Sequence, residues 1–218
     1  MTTDGDTFPI QYGVMKDAET SWALTPGKFL ENLPNGCYVR VSDLPGTPNS
    51  AKLAASRAAA RGDIAPVAKG LYFKGRRTRY GIATPAAEDV ALEVLGRRGV
   101  GPAGVSAARA LGLTTQVPAS TELATIFRAP AGIRDVHFVK RNNIARVDLT
   151  YLEIAVLEVL RTWRFTVDGG WRALVDAVRS RVDADDVRLD VLLAVTTKEH
   201  NSEVRADARK LFRALELP

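Results

Sequence analysis

One cysteine, Cys37, is all that the 218 residues hold, which excludes an internal disulfide framework. Two histidines, His137 and His200, accompany it, too few for a zinc site of mixed Cys and His ligands. No apolar run approaches the ~20 residues needed to cross a bilayer, so no membrane association is expected. Met1 to Asp6 lacks the basic and apolar regions of a signal peptide, and the expected location is the cytoplasm. No strand carries the aromatic cluster on which RNA bases stack, which disfavours RNA as partner. No nucleophile with a suitable acid and base can be assigned from spacing. The expectation is a protein that is not an enzyme and needs no cofactor or metal.

What is present is an ordinary balance of 46% hydrophobic and 25% charged residues, with a net charge of +5. The charge is unevenly placed. Residues 1–39 carry two bases against five acids, whereas residues 40–80 carry nine bases against two acids. Beyond residue 80 the signs nearly cancel, at nineteen against eighteen. A solvated surface mixes its signs, so a single basic window reads as an electrostatic footprint for a polyanion.

The window contains an ordered set of elements. Thr25-Pro26 predicts a helix start, and Pro34-Asn35-Gly36 its end. Residues 37–41 read as a short strand, and Ser42-Asp43-Leu44 as a brief helical turn. A second helix is expected from Asn49 or Ser50 as cap to Gly62 as stop. Its alanines Ala51, Ala54, Ala55 and Ala58 form one small-residue face, opposite Lys52, Ser56, Arg57 and Arg61. Residues 64–67 and 71–73 flank Ala68-Lys69-Gly70 as a β-hairpin. This is the order of a winged helix-turn-helix, in which the second long helix enters the major groove of duplex DNA. Lys69 would meet phosphate from the wing, and Arg76, Arg77 and Arg79 would follow as a flexible basic arm; Lys74 is expected among the DNA-binding residues too. The organisation expected is an N-terminal extension over 1–24, a winged-helix domain over 25–80 and a C-terminal domain over 81–218.

The C-terminal part predicts a helix over 85–98. The following Gly99 to Gly104 is a literal G-x-G-x-x-G, but it follows a charged helix rather than a hydrophobic strand. It therefore reads as a loop feeding a helix at 105–111, not as a dinucleotide site. Residues 125–127 and 136–139 read as two strands joined by a loop, with His137 on the face opposite Val136 and Phe138. Lys140, Arg141 and Arg146 form a smaller basic cluster, either a surface for an acidic or nucleotide-bearing partner or a solvated strand edge. Helices follow over 152–163, 171–182, 186–195 and 204–215. Asp183, Asp185 and Asp186 read as an N-terminal cap rather than a metal cluster. The fold class is thus α+β: a winged helix-turn-helix, then a mostly helical domain with a small β-sheet or hairpin.

The stretch Gly104-Val105-Ser106-Ala107-Ala108-Arg109-Ala110-Leu111-Gly112-Leu113-Thr114-Thr115-Gln116-Val117-Pro118 resembles the signature of AbiEi-type antitoxins of bacterial abortive-infection systems. Leu33-Pro34-Asn35-Gly36, Ser56-Arg57 ahead of Gly62, and Lys69-Gly70-Leu71-Tyr72-Phe73 are similar to that family's winged-helix segment. Tyr80-Gly81 and Thr84-Pro85 also fit, and the resemblance covers roughly residues 25–165. It implies a type IV antitoxin that represses its own operon at inverted repeats of duplex DNA. It further implies that the C-terminal domain antagonises a nucleotidyltransferase-like toxin. The DNA-reading positions implied are Asn49, Ser50, Lys52, Ser56 and Arg57, with Lys69 on the wing. The alternative is a stand-alone transcriptional regulator whose C-terminal domain senses a ligand or a protein partner.

Overall fold

The computed structural model of the chain describes residues 24–216; the N-terminal extension, Leu24 apart, lies outside them. The fold is α+β, and the chain divides between Thr84 and Pro85 into two compact units.

In the first unit, α1 (Pro26–Asn32) begins where the Thr25 hydroxyl accepts from the Lys28 amide at 3.4 Å. β1 (Cys37–Arg40) follows, then a 3₁₀ turn (Val41–Asp43) and α2 (Pro48–Ala60). β2 (Ala65–Ala68) and β3 (Leu71–Lys74) complete an antiparallel sheet of order β1-β3-β2. Ala51, Ala55 and Ala58 of α2 are buried against Leu30, Val39, Leu44 and Ile64. Small side chains let α2 lie close on that core, which is why alanine recurs there. The cap of α2 differs from the expected Asn49 or Ser50. Thr47 is the N-cap, accepting from the Ser50 amide at 3.3 Å, and Pro48 occupies the first turn. Proline has no amide to satisfy there, so the helix is capped two or three residues earlier than expected.

Arg76, Arg77 and Arg79 do not form a flexible arm. They belong to a second small hairpin, β4 (Arg77–Thr78) and β5 (Gly81–Ile82). Its turn is closed by the Thr78 hydroxyl, which donates to the Gly81 carbonyl at 2.8 Å and accepts from the Tyr80 amide at 3.2 Å.

The second unit opens with α3 (Ala87–Leu95), β6 (Val100–Pro102) and α4 (Gly104–Ala110). The expected glycine loop is therefore partly strand. Gly101 sits where a Cβ would lie 2.6 Å from the Ile154 side chain and 2.7 Å from the Tyr151 carbonyl. Its glycine serves close packing of strand on helix, not a phosphate. β7 (Thr121–Thr125) and β8 (Val136–Lys140) pair in parallel, with β6 antiparallel on the other side of β7. The first of these strands lies four residues ahead of the expected 125–127, because Leu123, Ala124 and Thr125 are the buried positions.

Four helices follow a 3₁₀ turn (Ile144–Asp148): α5 (Tyr151–Thr166), α6 (Gly170–Asp183), α7 (Leu189–Thr196) and α8 (Ser202–Glu216). A capping box of Thr150 and Glu153 starts α5, and Ile154 to Leu160 are buried along it without a break. It is the central helix of this core. The three aspartates do not cap α7. Asp186 pairs with Arg181 at 3.0 Å, Asp185 has a φ of 60°, and Arg188 precedes the first turn of α7.

Lys140, Arg141 and Arg146 do not form one surface cluster. Arg146 is 1% exposed, and its Nη1 and Nε donate to Glu158 and Glu199, each at 2.6 Å. Arg141 grips Glu158 through Nε at 2.9 Å and Nη2 at 2.5 Å. Arg161 donates to Glu199 at 2.7 Å. Only Lys140 stays exposed as expected. Burial would raise the carboxyls of Glu158 and Glu199, but the guanidinium contacts outweigh it and hold both below the usual carboxylate range. Among the described residues no group of three acids, histidines or cysteines is placed to hold a metal, and no helix is long and apolar enough to cross a membrane.

Candidate nucleic-acid interface

The outer face of α2 follows from its buried one. With Ala51, Ala55 and Ala58 inward, Asn49, Lys52, Leu53, Ser56, Arg57 and Ala60 are exposed. Asn49, Leu53, Ser56 and Ala60 recur at helical spacing as a central stripe. Lys52 and Arg57 flank it, about 140° apart at 100° per residue. Asn49, Lys52, Ser56 and Arg57 make no side-chain hydrogen bond or ion pair with another described residue. Polar groups left unsatisfied on a rigid, convex helix are available to a ligand. The spacing suits a groove, with a cation for each phosphate wall and short polar side chains between them.

Not every expected residue is so placed. The Ser50 hydroxyl donates to the Thr47 carbonyl at 2.8 Å, inside the cap. Arg61 donates through Nε to Asp63 at 2.8 Å, which neutralises it locally. Lys74 is a correction: its ammonium donates to the Leu30 and Glu31 carbonyls, both at 2.7 Å. It closes the C-terminus of α1 and satisfies carbonyls that the helix leaves orphaned. Arg77 does the same for α2, donating to the Arg61 carbonyl at 2.6 Å.

Lys69 stands exposed in the β2–β3 turn, where Gly70 adopts a φ of 71°. Arg76 and Arg79 are exposed on the second hairpin, and the Arg79 guanidinium lies 4.6 Å from the centre of the Tyr80 ring. Two apolar residues that sequence reasoning missed belong to this surface. Leu53 is 50% exposed in the middle of the α2 stripe, and Tyr80 is 85% exposed at the hairpin tip. Leu53 is legible in hindsight, since it falls outside the alanine face of an otherwise polar stripe. Tyr80 carries no such periodic signal.

The Leu111 to Pro118 motif has a packing role. Leu111 and Leu113 are buried, the Thr114 hydroxyl donates to Asp168 at 3.3 Å, and the Thr115 amide does so at 3.2 Å. The Asp168 amide returns a bond to the Leu113 carbonyl at 3.0 Å. The motif thus ties the end of α4 to the turn between α5 and α6.

No curated protein matches this chain. The crystal structure of the Rv2827c protein from Mycobacterium tuberculosis is similar at 16% identity and a TM-score of 0.49, covering 91% of this chain and 78% of that one. A family model matches residues 28–147, more than half of the chain, and places the protein in DUF6088, a family of unknown function.

Proposed function

We propose that the protein is a duplex-DNA-binding transcriptional repressor acting on inverted repeats in its own promoter. The observation that carries this reading is the unsatisfied outer face of α2, with Lys52 and Arg57 flanking Asn49, Leu53 and Ser56. Lys69 on the wing and Arg76 and Arg79 on the second hairpin are further exposed cations of the same unit. α2 enters the major groove, the wing and hairpin meet backbone, and Leu53 meets a thymine methyl. Two copies on an inverted repeat match the symmetry of such operators.

The resemblance of Gly104 to Pro118 to AbiEi-type antitoxins supports a further role, antagonism of a nucleotidyltransferase-like toxin. A stand-alone regulator with a ligand-sensing C-terminal domain is the second reading. A polar depression beside Arg161 favours it.

Fluorescence anisotropy on the chain's own upstream DNA tests the first role. Lys52→Ala with Arg57→Ala weakens binding and, by removing two phosphate contacts, reduces the slope of log affinity against log salt by about 1.8; unchanged affinity sinks the groove assignment. Co-expression with a neighbouring nucleotidyltransferase tests the second, because only an antitoxin restores growth. Failure to rescue removes the antitoxin role and leaves the DNA-binding role standing.

A further inference from the structure

The buried ion network of the second unit is not electrically balanced. Arg141, Arg146 and Arg161 supply three positive charges, and Glu158 and Glu199 return two negative ones. The three guanidiniums are poorly exposed, Arg146 at 1%, Arg161 at 19% and Arg141 at 25%. Arg146 Nη2 and Arg161 Nε are buried without a hydrogen-bond partner, Arg161 Nε being ion-paired with Glu158 at 3.4 Å. Burial, and then the neighbouring charges of Arg141 and Arg146, pull the Arg161 guanidinium below its usual range against the opposing carboxylates. A desolvated charge of this kind is costly unless a counter-charge approaches it.

Beside it lies an open depression of about 450 Å³, walled by Arg141, Arg161, Lys140 and His200 among others. Its one acid, Glu199, has both oxygens engaged. Oε1 accepts from Asn143 and Arg146, and Oε2 accepts from Arg161. Lys140 is exposed and makes no side-chain bond to another described residue. His200 braces the rim, its Nε2 lying 3.1 Å from the Asn142 carbonyl. Asn201 in the wall caps the 15-residue α8, with its Oδ1 accepting from the Glu203 and Val204 amides. The start of that helix therefore borders the depression, with its Glu203 and Val204 amides satisfied by Asn201.

We propose that this depression binds a phosphate-bearing small molecule, with Arg141, Arg161 and Lys140 as its cationic donors. The network's unbalanced charge and Lys140 together match a phosphate dianion better than a monovalent carboxylate. Arg141 and Arg161 already hold Glu158 and Glu199 through Nε and Nη2, so their Nη1 groups are the guanidinium donors left for phosphate oxygens, as single charge-assisted hydrogen bonds. The volume lies within the range of small-ligand sites and exceeds what a bare phosphate fills, which leaves room for a nucleotide. The site deepens the ligand-sensing reading of the second unit and is independent of whether α2 binds DNA.

Isothermal titration calorimetry on the full chain tests it, with AMP, adenosine and inorganic phosphate as probes and no metal added. AMP is expected to bind saturably and adenosine not at all. Inorganic phosphate should bind on the order of tenfold more weakly than AMP. Equal affinities for AMP and phosphate would assign the site to the free anion. Lys140→Glu, a surface change outside the buried network, should weaken AMP binding at least about tenfold with no change in melting temperature. Lys52→Glu with Arg57→Glu should leave AMP binding unchanged. Neither AMP nor phosphate binding at millimolar concentration overturns the proposal. So does binding that survives Lys140→Glu, or binding abolished by the α2 double variant.

Discussion

The unbalanced network makes an unusual prediction about which partner is harder to lose. Arg146→Met removes a guanidinium with two 2.6 Å bonds and fills its volume with an unbranched apolar side chain. Glu158 keeps Arg141, and Glu199 keeps Arg161 and Asn143, so two cations then face two anions. Glu199→Gln instead leaves three guanidiniums against one carboxylate, in a site already short of negative charge. Breaking a buried pair by removing one partner costs about 3–5 kcal/mol, whereas an apolar replacement that leaves no orphaned charge costs far less. Glu199→Gln is therefore expected at about 4 kcal/mol and Arg146→Met at roughly 1–2 kcal/mol. With a urea slope of about 2 kcal/mol per molar, the former lowers the midpoint by about 2 M and the latter by under about 1 M. The assay is urea unfolding followed by fluorescence of Trp163 and Trp171, whose rings lie 5.1 Å apart in the second unit. If Arg146→Met proves as damaging as Glu199→Gln, the charge accounting is wrong.

The remaining predictions concern pH, packing and the division of labour among cations. Glu153, Glu158 and Glu199 are held below the usual range: burial opposes this, and the hydrogen bonds of Arg188, Arg141 and Arg146 respectively outweigh it. Their stabilisation is complete above about pH 4.3, the unfolded carboxylate value, and is lost as pH falls below it; an acid melting series of flat stability would refute this. At the other end, burial and a hydrogen bond to Glu88 push the Tyr151 hydroxyl well above its usual range, so its stabilisation erodes as pH rises past about 10, and Tyr151→Phe should flatten the alkaline limb. Gly101→Ala forces a methyl against Ile154 and the Tyr151 carbonyl and is expected to destabilise by at least about 1–3 kcal/mol in the same urea assay. Lys74→Met should lower stability by roughly 0.5–1.5 kcal/mol while leaving DNA affinity within about twofold, whereas a large loss of affinity would return Lys74 to the interface.

The winged-helix order was legible because each of its elements is announced locally, by Thr25-Pro26, Pro34-Asn35-Gly36, the alanine face of α2 and the glycine turn at Gly70. The start of α2 was misplaced because Asn49 and Ser50 are also good caps, and only the backbone shows that Thr47 takes the position. The parallel pairing of β7 with β8 was hidden because it depends on contacts between distant segments, not on pattern within either one. Arg146 illustrates the same limit for charge. Its sequence neighbours are Ile144, Ala145, Val147 and Asp148, and nothing local shows that Glu158 and Glu199, twelve and fifty-three residues on, will enclose it. Of the anion site the sequence therefore offers only the cations Lys140 and Arg141 at and just after the end of β8, whereas Arg161 comes from α5 and part of the rim from the segment between α7 and α8.

Cation counting by sequence overestimates an interface, and the basic window shows by how much. Of the nine bases between residues 40 and 80, Lys74 and Arg77 close helix C-termini and Arg61 answers Asp63. These bonds are internal to the fold and would have to break before the side chains met a phosphate. Arg40, the ninth, is half-buried at the end of β1, whereas Lys52, Arg57, Lys69, Arg76 and Arg79 remain exposed, none of these five paired with an acid among the described residues. Each neutralised phosphate adds about −0.9 to the slope of log affinity against log salt, so these five support a slope near −4.5 per protomer, against about −8 if all nine took part. A measured slope near −8 would mean that Lys74 and Arg77 abandon their helix ends on DNA. α1 and α2 would then fray on binding, which amide hydrogen exchange at residues 29–33 and 57–61 would reveal.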